Sequence, residues 1–156
     1  MQIKKMLNSK GAKEIEKTLR NNYLCDIDLS DYFLFVTFDD KIWMASKSLL
    51  ELEFNRMKRI NSLGLCFGKL KKDRIHLTVE GCQLVGKTSK KNIILVDEPN
   101  MEKYIRGFDF TGEKIDCCPN NFALVKYEND FIGVSLLGDN RIENLLPKSR
   151  RIIDNR

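Results

Sequence analysis

GCQLVGKT, Gly81 to Thr88, has the letters of a phosphate loop: Gly, four residues, then Gly-Lys-Thr. Shortly after it IILVDEP runs through apolar residues into Asp97 and Glu98, as the metal-holding half of a nucleotide hydrolase would. A phosphate loop works when a strand enters a glycine turn whose N–H groups surround the anion, and the Lys-Thr opens a helix with its N-terminus toward that anion. The strand is available, because RIHLTV places Ile75, Leu77 and Val79 on one side. The helix is not. Only Ser89, Lys90, Lys91 and Asn92 separate Thr88 from the next apolar run, and a parallel crossover takes about a dozen residues or more. Leu84 and Val85, inside the match, are residues to bury. The stretch therefore predicts Thr78 as an N-cap, a short helix over Glu80 to Val85, and Gly86 as its C-terminal stop. On this reading the match is accidental, and a doubly wound nucleotide fold is set aside.

Composition agrees with an ordinary globular chain. Its 156 residues are 42% hydrophobic and 31% charged, which suits one or two small domains sharing a core. No apolar run is long enough to span a bilayer, so no membrane partner is expected. QIKKMLNSK is basic but lacks the apolar block of a signal peptide. A cytoplasmic location follows as the expectation, nucleolar in a eukaryote. Cys25, Cys66, Cys82, Cys117 and Cys118 are odd in number and contain no C-x-x-C, and His76 is the single histidine. Reduced thiols, no metal site and no cofactor are expected.

Charge is uneven along the chain. Residues 1–72 hold 14 Lys/Arg against 9 Asp/Glu, whereas residues 73–156 hold 13 of each. Arg56, Lys58, Arg59, Lys69, Lys71, Lys72 and Arg74 face only Asp73 between positions 56 and 74, and PKSRR adds Lys148, Arg150 and Arg151. Such patches mark either polyanion binding or a solvated face.

Periodicity supplies the elements. Ser9 is placed to cap a helix to about Asn22, with Ala12, Ile15 and Leu19 on one stripe. YFLFVTF and IWMAS, joined by Asp39-Asp40-Lys41, read as a β-hairpin. Ser48 and Glu51 form a capping box before Leu50, Phe54 and Met57 at helical spacing. The first half is thus helix, hairpin, helix. In the second half RIHLTV, NIILVDE, FALVKY and FIGVSLL are short strands, the last two joined at Glu128-Asn129-Asp130. RGFDFTGEKI is a glycine-bearing loop passing into a strand near Lys114 to Asp116. Several short strands with one small helix suggest a barrel-like domain, with the boundary near Lys71 to Asp73.

INSLGLCFGKLKKDRIHLTVEGCQLV, Ile60 to Val85, resembles the junction of a family of large-ribosomal-subunit biogenesis factors that join an α/β pre-PUA domain to an RNA-binding PUA domain. SLGLCFGK is the most specific piece, and NIILVDEP, YIRGFDF and the IGV hairpin follow in the family's order. The resemblance is strong at 62–79, moderate at 92–135 and weak in the first 30 residues. ALVKYENDFIGVSLLGDNRIENLLPKSRRI is instead more similar to the PUA-like tail of rRNA cytosine methyltransferases of the NOP2/Sun type. Together these imply an α+β protein with a pre-PUA α/β domain over residues 1–72 and a PUA pseudo-barrel of short mixed strands over 73–156. They imply a non-enzymatic monomer that binds RNA, rRNA or pre-rRNA first, and meets ribosome-assembly or RNA-modification proteins through its N-terminal half. The methyltransferase likeness implies the alternative, a subunit that targets an RNA-modifying enzyme in trans.

By position, the resemblance places RNA contacts on Arg106 and Gly107 in the glycine loop and on Lys148, Arg150 and Arg151 at the end of the last strand. Lys69, Lys71 and Lys72 are further candidates, and Lys69 also suits support of the junction. Lys and Arg meet phosphates, and Arg stacks on splayed bases. Gly107 is equally explained by a positive φ. His76 is expected to be structural or solvent-facing, Cys66 to be core, and Asp26, Asp28 and Asp31 to form a solvated turn. Tyr32, Phe33, Phe35 and Trp43 are expected to pack the first hairpin.

Overall fold

The computed structural model describes residues 1–52 and 61–154. In chain order these form β1 (Ile3–Leu7), α1 (Ser9–Tyr23), β2 (Tyr32–Thr37), β3 (Lys41–Ser46), β4 (Leu65–Lys71), β5 (Arg74–Leu77), α2 (Val79–Gly86), β6 (Ile93–Val96), α3 (Glu98–Arg106), β7 (Glu113–Ile115), β8 (Phe122–Tyr127), β9 (Asp130–Leu137) and β10 (Ile142–Asn144). The class is α+β. The first sheet is an antiparallel meander, β1-β2-β3-β4-β5; the second, of curled half-barrel form, has the order β10-β9-β8-β6-β7. Its parallel pair, β6 with β8, is connected through α3 and β7, the length of connection that a parallel crossover demands.

Burial explains the strand chemistry. Leu34, Ile42, Met44, Phe67, Ile75 and Leu77 of the first sheet meet Ile15, Leu19 and Tyr23 of α1 in one cluster. Cys82 and Val85 of α2 and Leu124, Phe131 and Val134 of the second sheet join the same cluster, so the halves share a core. The second sheet buries its other face as well, with Ile94, Ala123 and Val125 packed under Tyr104 of α3. Two covered faces require nearly continuous apolar runs, and IILV and FALV are such runs.

The segment after α2 ties the halves together. Lys90 and Lys91 donate their N–H groups to the Tyr23 carbonyl. Thr88 Oγ1 accepts from Asp26 N and donates to Asp26 O. Asn92, fully buried, donates through Nδ2 to Asn22 O and accepts from Cys118 N. Its amide thus finds both a donor and an acceptor, as burial demands. GCQLVGKT is therefore a helix and a strap. Thr78 caps α2 as expected, by accepting from Gly81 N at 3.0 Å.

Several expectations need correction. Gly86 does end α2 as expected, but without a left-handed cap, since Lys87 follows in right-handed backbone. Glycine is required there because a Cβ would lie 2.4 Å from the Phe131 ring. Asn8, not Ser9, caps α1, accepting from Gly11 N. Ser46, not Ser48, caps a 3-10 turn over Lys47–Glu51, and the rest of that expected helix, including Phe54 and Met57, lies outside the described residues. RIHLTV contributes β5 to the first sheet, because Lys69 pairs with His76 and Lys71 with Arg74. The expected junction at Lys71 to Asp73 coincides with the turn of this hairpin, and the chain passes to the second sheet only after Leu77. YIRGFDF is not simply a glycine loop, since its first half ends α3.

Candidate nucleic-acid interface

The β4–β5 hairpin sets the site. Lys69 and Lys71 point to one face of the first sheet, and the register places His76 beside Lys69, Arg74 beside Lys71, and Lys41 of β3 on the other side of Lys69. Directly opposed residues share a face. This row is thus Lys41, Lys69 and His76, with Lys71 and Arg74 next to it, all on the face away from α1. Like charges stacked in this way repel one another and favour an anion. Lys41 pairs with Asp39 at 2.7 Å. That ammonium, followed by the Thr37 hydroxyl, holds the Asp39 carboxyl down at about 2.

Phe122 anchors the row to the second sheet. Its ring stacks on His76, with centroids 4.9 Å apart and planes 15° from parallel, and Arg74 Cζ lies 5.2 Å from the same centroid. Arg74 also donates to the Asn120 carbonyl. Burial first, then the charges of Lys71 and Lys69, hold His76 below the usual imidazole range. His76 is accordingly a half-buried side chain that packs on Phe122 between the halves.

Between this face and the second half lies a cleft of about 350 Å³. Lys41, Cys66, Lys69 and His76 form one wall; Thr78, Val79 and Glu80 at the start of α2 form the floor; Tyr104, Val134, Leu145, Pro147, Ser149 and Arg150 close the other side. Cys66, expected in the core, is half-buried and part of this wall, with burial as the main reason its thiol is raised. The floor is held rigidly. Thr78 Oγ1 donates to Cys66 O at 2.8 Å, and Gly81 sits so close to β4 that a Cβ would lie 2.1 Å from Phe67 O. Tyr104 OH donates to Val134 O.

The predicted residues divide. Lys69 and Arg150, from opposite halves of the chain, line the same cleft. Arg150 is exposed and pairs with Glu80, while Lys148 is exposed beside it in a 3-10 turn. Arg151 is tied into the fold, since its guanidinium lies over Gly107 and its Nε donates to Leu146 O at 3.1 Å. Gly107 caps α3 at φ 83°, where a Cβ would also collide with Arg151 at 2.5 Å. Arg106 pairs with Asp154 at 3.0 Å. Arg106, Gly107 and Arg151 therefore fasten the C-terminal segment to α3, assisted by Ile152 N donating to Ile105 O. Lys71 and Lys72 are exposed at the hairpin turn, and Arg56, Lys58 and Arg59 lie outside the described residues. Lys41 was missed by sequence reasoning. Only its cross-strand register with Lys69 reveals it. Asp28 accepts from Ser30 N in a surface turn, and Phe33, Phe35 and Trp43 stack along the first hairpin while Tyr32 is exposed.

Residues 91–152 match the family model of the methyltransferase RsmF PUA domain. The match covers β6 to the C-terminal 3-10 turn, including Arg106, Gly107, Lys148, Arg150 and Arg151, and leaves Lys41, Lys69, Lys71 and Lys72 outside. No curated protein matches the chain. A PUA domain implies RNA binding, and Lys148 and Arg150 lie within the matched span.

Proposed function

We propose that this protein is a non-enzymatic, monomeric RNA-binding protein that holds rRNA or pre-rRNA during ribosome biogenesis in the cytoplasm or nucleolus. The observation that carries the reading is Arg150, inside the PUA match, closing with Lys69 and Lys41 on one cleft. Phosphates fit a site to which both halves contribute cations, Lys41 and Lys69 from the first sheet and Arg150 from the C-terminal turn, with Glu80 the carboxylate that Arg150 would exchange for a phosphate. The first sheet is then the side that meets assembly proteins. Catalysis is not part of this reading: Lys87 sits at the C-terminal end of α2 and Thr88 is engaged by Asp26, so purified protein should not hydrolyse ATP, with Lys87→Ala as the control.

The test is fluorescence anisotropy with labelled decauridine and with rRNA fragments. Contact with about four to six phosphates on single-stranded RNA should make log K fall with log salt at a slope of roughly −3 to −4. Replacing Lys148 and Arg150 together by alanine should reduce affinity and slope; an unchanged double variant would remove them from the site. A second reading is favoured by the family description itself, whose domain belongs to a methyltransferase: an in-trans targeting subunit for an RNA cytosine methyltransferase. Purification of the tagged protein separates the two, since co-sedimentation with pre-ribosomal particles supports the first and recovery with one modifying enzyme supports the second.

A further inference from the structure

The cleft has a shape and a lining that phosphate binding alone does not explain. Its lining is mostly apolar, with Val79, Leu145 and Pro147 backed by the buried Leu77, Val134 and Tyr104, whereas Lys41, Lys69 and Arg150 supply cations and Glu80, paired with Arg150, one carboxylate. A volume of about 350 Å³ lies at the small end of the ~300–1,000 Å³ usual for ligand sites, far below what a helix or duplex needs. Apolar walls gain nothing from a phosphate, and cations gain nothing from a hydrocarbon. The occupant that satisfies both is flat and largely apolar, with an anionic tail at its edge.

The geometry points to a pocket for one splayed-out nucleobase of single-stranded or bulged RNA, with its flanking phosphates held by Lys69 and Arg150. This inference rests on the RNA-binding reading and adds the form of RNA bound. The first sheet supplies one wall, so the pocket is completed by residues outside the PUA match. The polar groups at hand also limit what it reads. Thr78 Oγ1 is committed to Cys66 O and Gly81 N, and the Tyr104 hydroxyl to Val134 O. His76 is fixed by stacking on Phe122. Glu80 is held by Arg150, which leaves the Ser149 hydroxyl at the rim as the side-chain group open to a base edge, so the pocket accepts a base chiefly through its faces. Bases of all four kinds are then tolerated, as for stacking platforms in general.

The experiment compares fluorescein-labelled decauridine with a decamer of abasic tetrahydrofuran phosphates carrying the same charge. Wild-type protein should prefer decauridine by about 5- to 100-fold, the loss expected when base contacts are removed. Leu145→Trp fills the pocket and touches no cation; it should abolish the preference while leaving the salt slope unchanged, with thermal melting confirming that the variant is folded. Arg150→Ala should lower the slope for both ligands. A wild-type preference below about twofold, or a preference that survives Leu145→Trp, overturns the base pocket while the RNA-binding reading stands. Binding of neither ligand overturns both. Photocrosslinking of wild-type protein to 4-thiouridine decamer gives a readout independent of variant folding: adducts should fall on peptides holding Cys66, Tyr104 or Pro147, and adducts confined to other surfaces refute the inference.

Discussion

Replacing Lys69 and Arg150 together by alanine tests whether two cations brought from opposite halves of the chain serve one ligand. Lys41, Lys69 and Arg150 line the cleft and Lys148 stands beside Arg150, with Lys71 and Arg74 farther along the same face of the first sheet. Neutralising about four phosphates of single-stranded RNA corresponds to a salt slope near −3, at about 0.7 per phosphate. Raising salt from 50 to 200 mM should then weaken the wild-type protein about 50-fold. The double variant keeps two contacts, so its slope should fall to about −1.4 and the same salt step should cost only about sevenfold. Each single variant should fall between these limits, and their slopes should add. The assay is anisotropy of labelled decauridine across that salt range. Lys10 and Lys13 on α1 provide the control, because α1 packs on the opposite face of the first sheet. A double variant with the wild-type slope, or a Lys10/Lys13 double alanine variant with an equal effect, would refute the convergence and reduce the binding to a diffuse surface charge.

Other perturbations test neighbouring steps. Glu80 occupies Arg150 in the free protein, so Glu80→Gln should raise affinity for decauridine several-fold at low salt and steepen the slope by up to about 0.7; weaker binding would mean that Glu80 orients Arg150 instead. Gly81→Ala drives a methyl to 2.1 Å from the backbone oxygen of Phe67, which cannot move aside. It should destabilise the fold by about 2–3 kcal/mol, seen as a melting temperature lowered by roughly 5–10 °C, and a change under about 1 °C would contradict the seating of α2. His76 is the single histidine and its folded value is lowered by burial, then by Lys71 and Lys69. As pH falls through the unfolded value of about 6.5, the unfolded chain takes a proton that the folded chain resists. Stability is therefore whole above that pH and declines below it. Urea unfolding at pH 7.5, 6.5 and 5.5 should show this decline in the wild type and a smaller one in His76→Gln; identical profiles would remove His76 as the cause.

Much of the fold was legible locally. Apolar runs joined by short polar turns marked the β2–β3 and β8–β9 hairpins, and Thr78 was recognisable as a cap because its side chain and the helix it caps are adjacent in sequence. α3 also carried a signal that went unread: Asp97 accepts from Asn100 N, Pro99 stands in the first turn, and Gly107 ends the helix. Its apolar stripe is thin, with Tyr104 its single buried residue, so the caps were the better guide. β1 had little to show, because four of its five residues are exposed on the edge of the sheet.

By itself the sequence determined that GCQLVGKT could not be a phosphate loop, since four residues cannot form the crossover, and that the second half would be short strands. Which sheet RIHLTV joins was decided only in three dimensions, because period-two alternation states which side chains share a face but not which strand lies beside them. The same holds for the site. The chain shows basic clusters near positions 70 and 150, but only strand register and the docking of the second sheet set Lys41 beside Lys69 and bring Arg150 to the same cleft. Charges far apart in sequence become one binding surface through long-range packing, and that packing comes from the shared core rather than from the charged residues themselves.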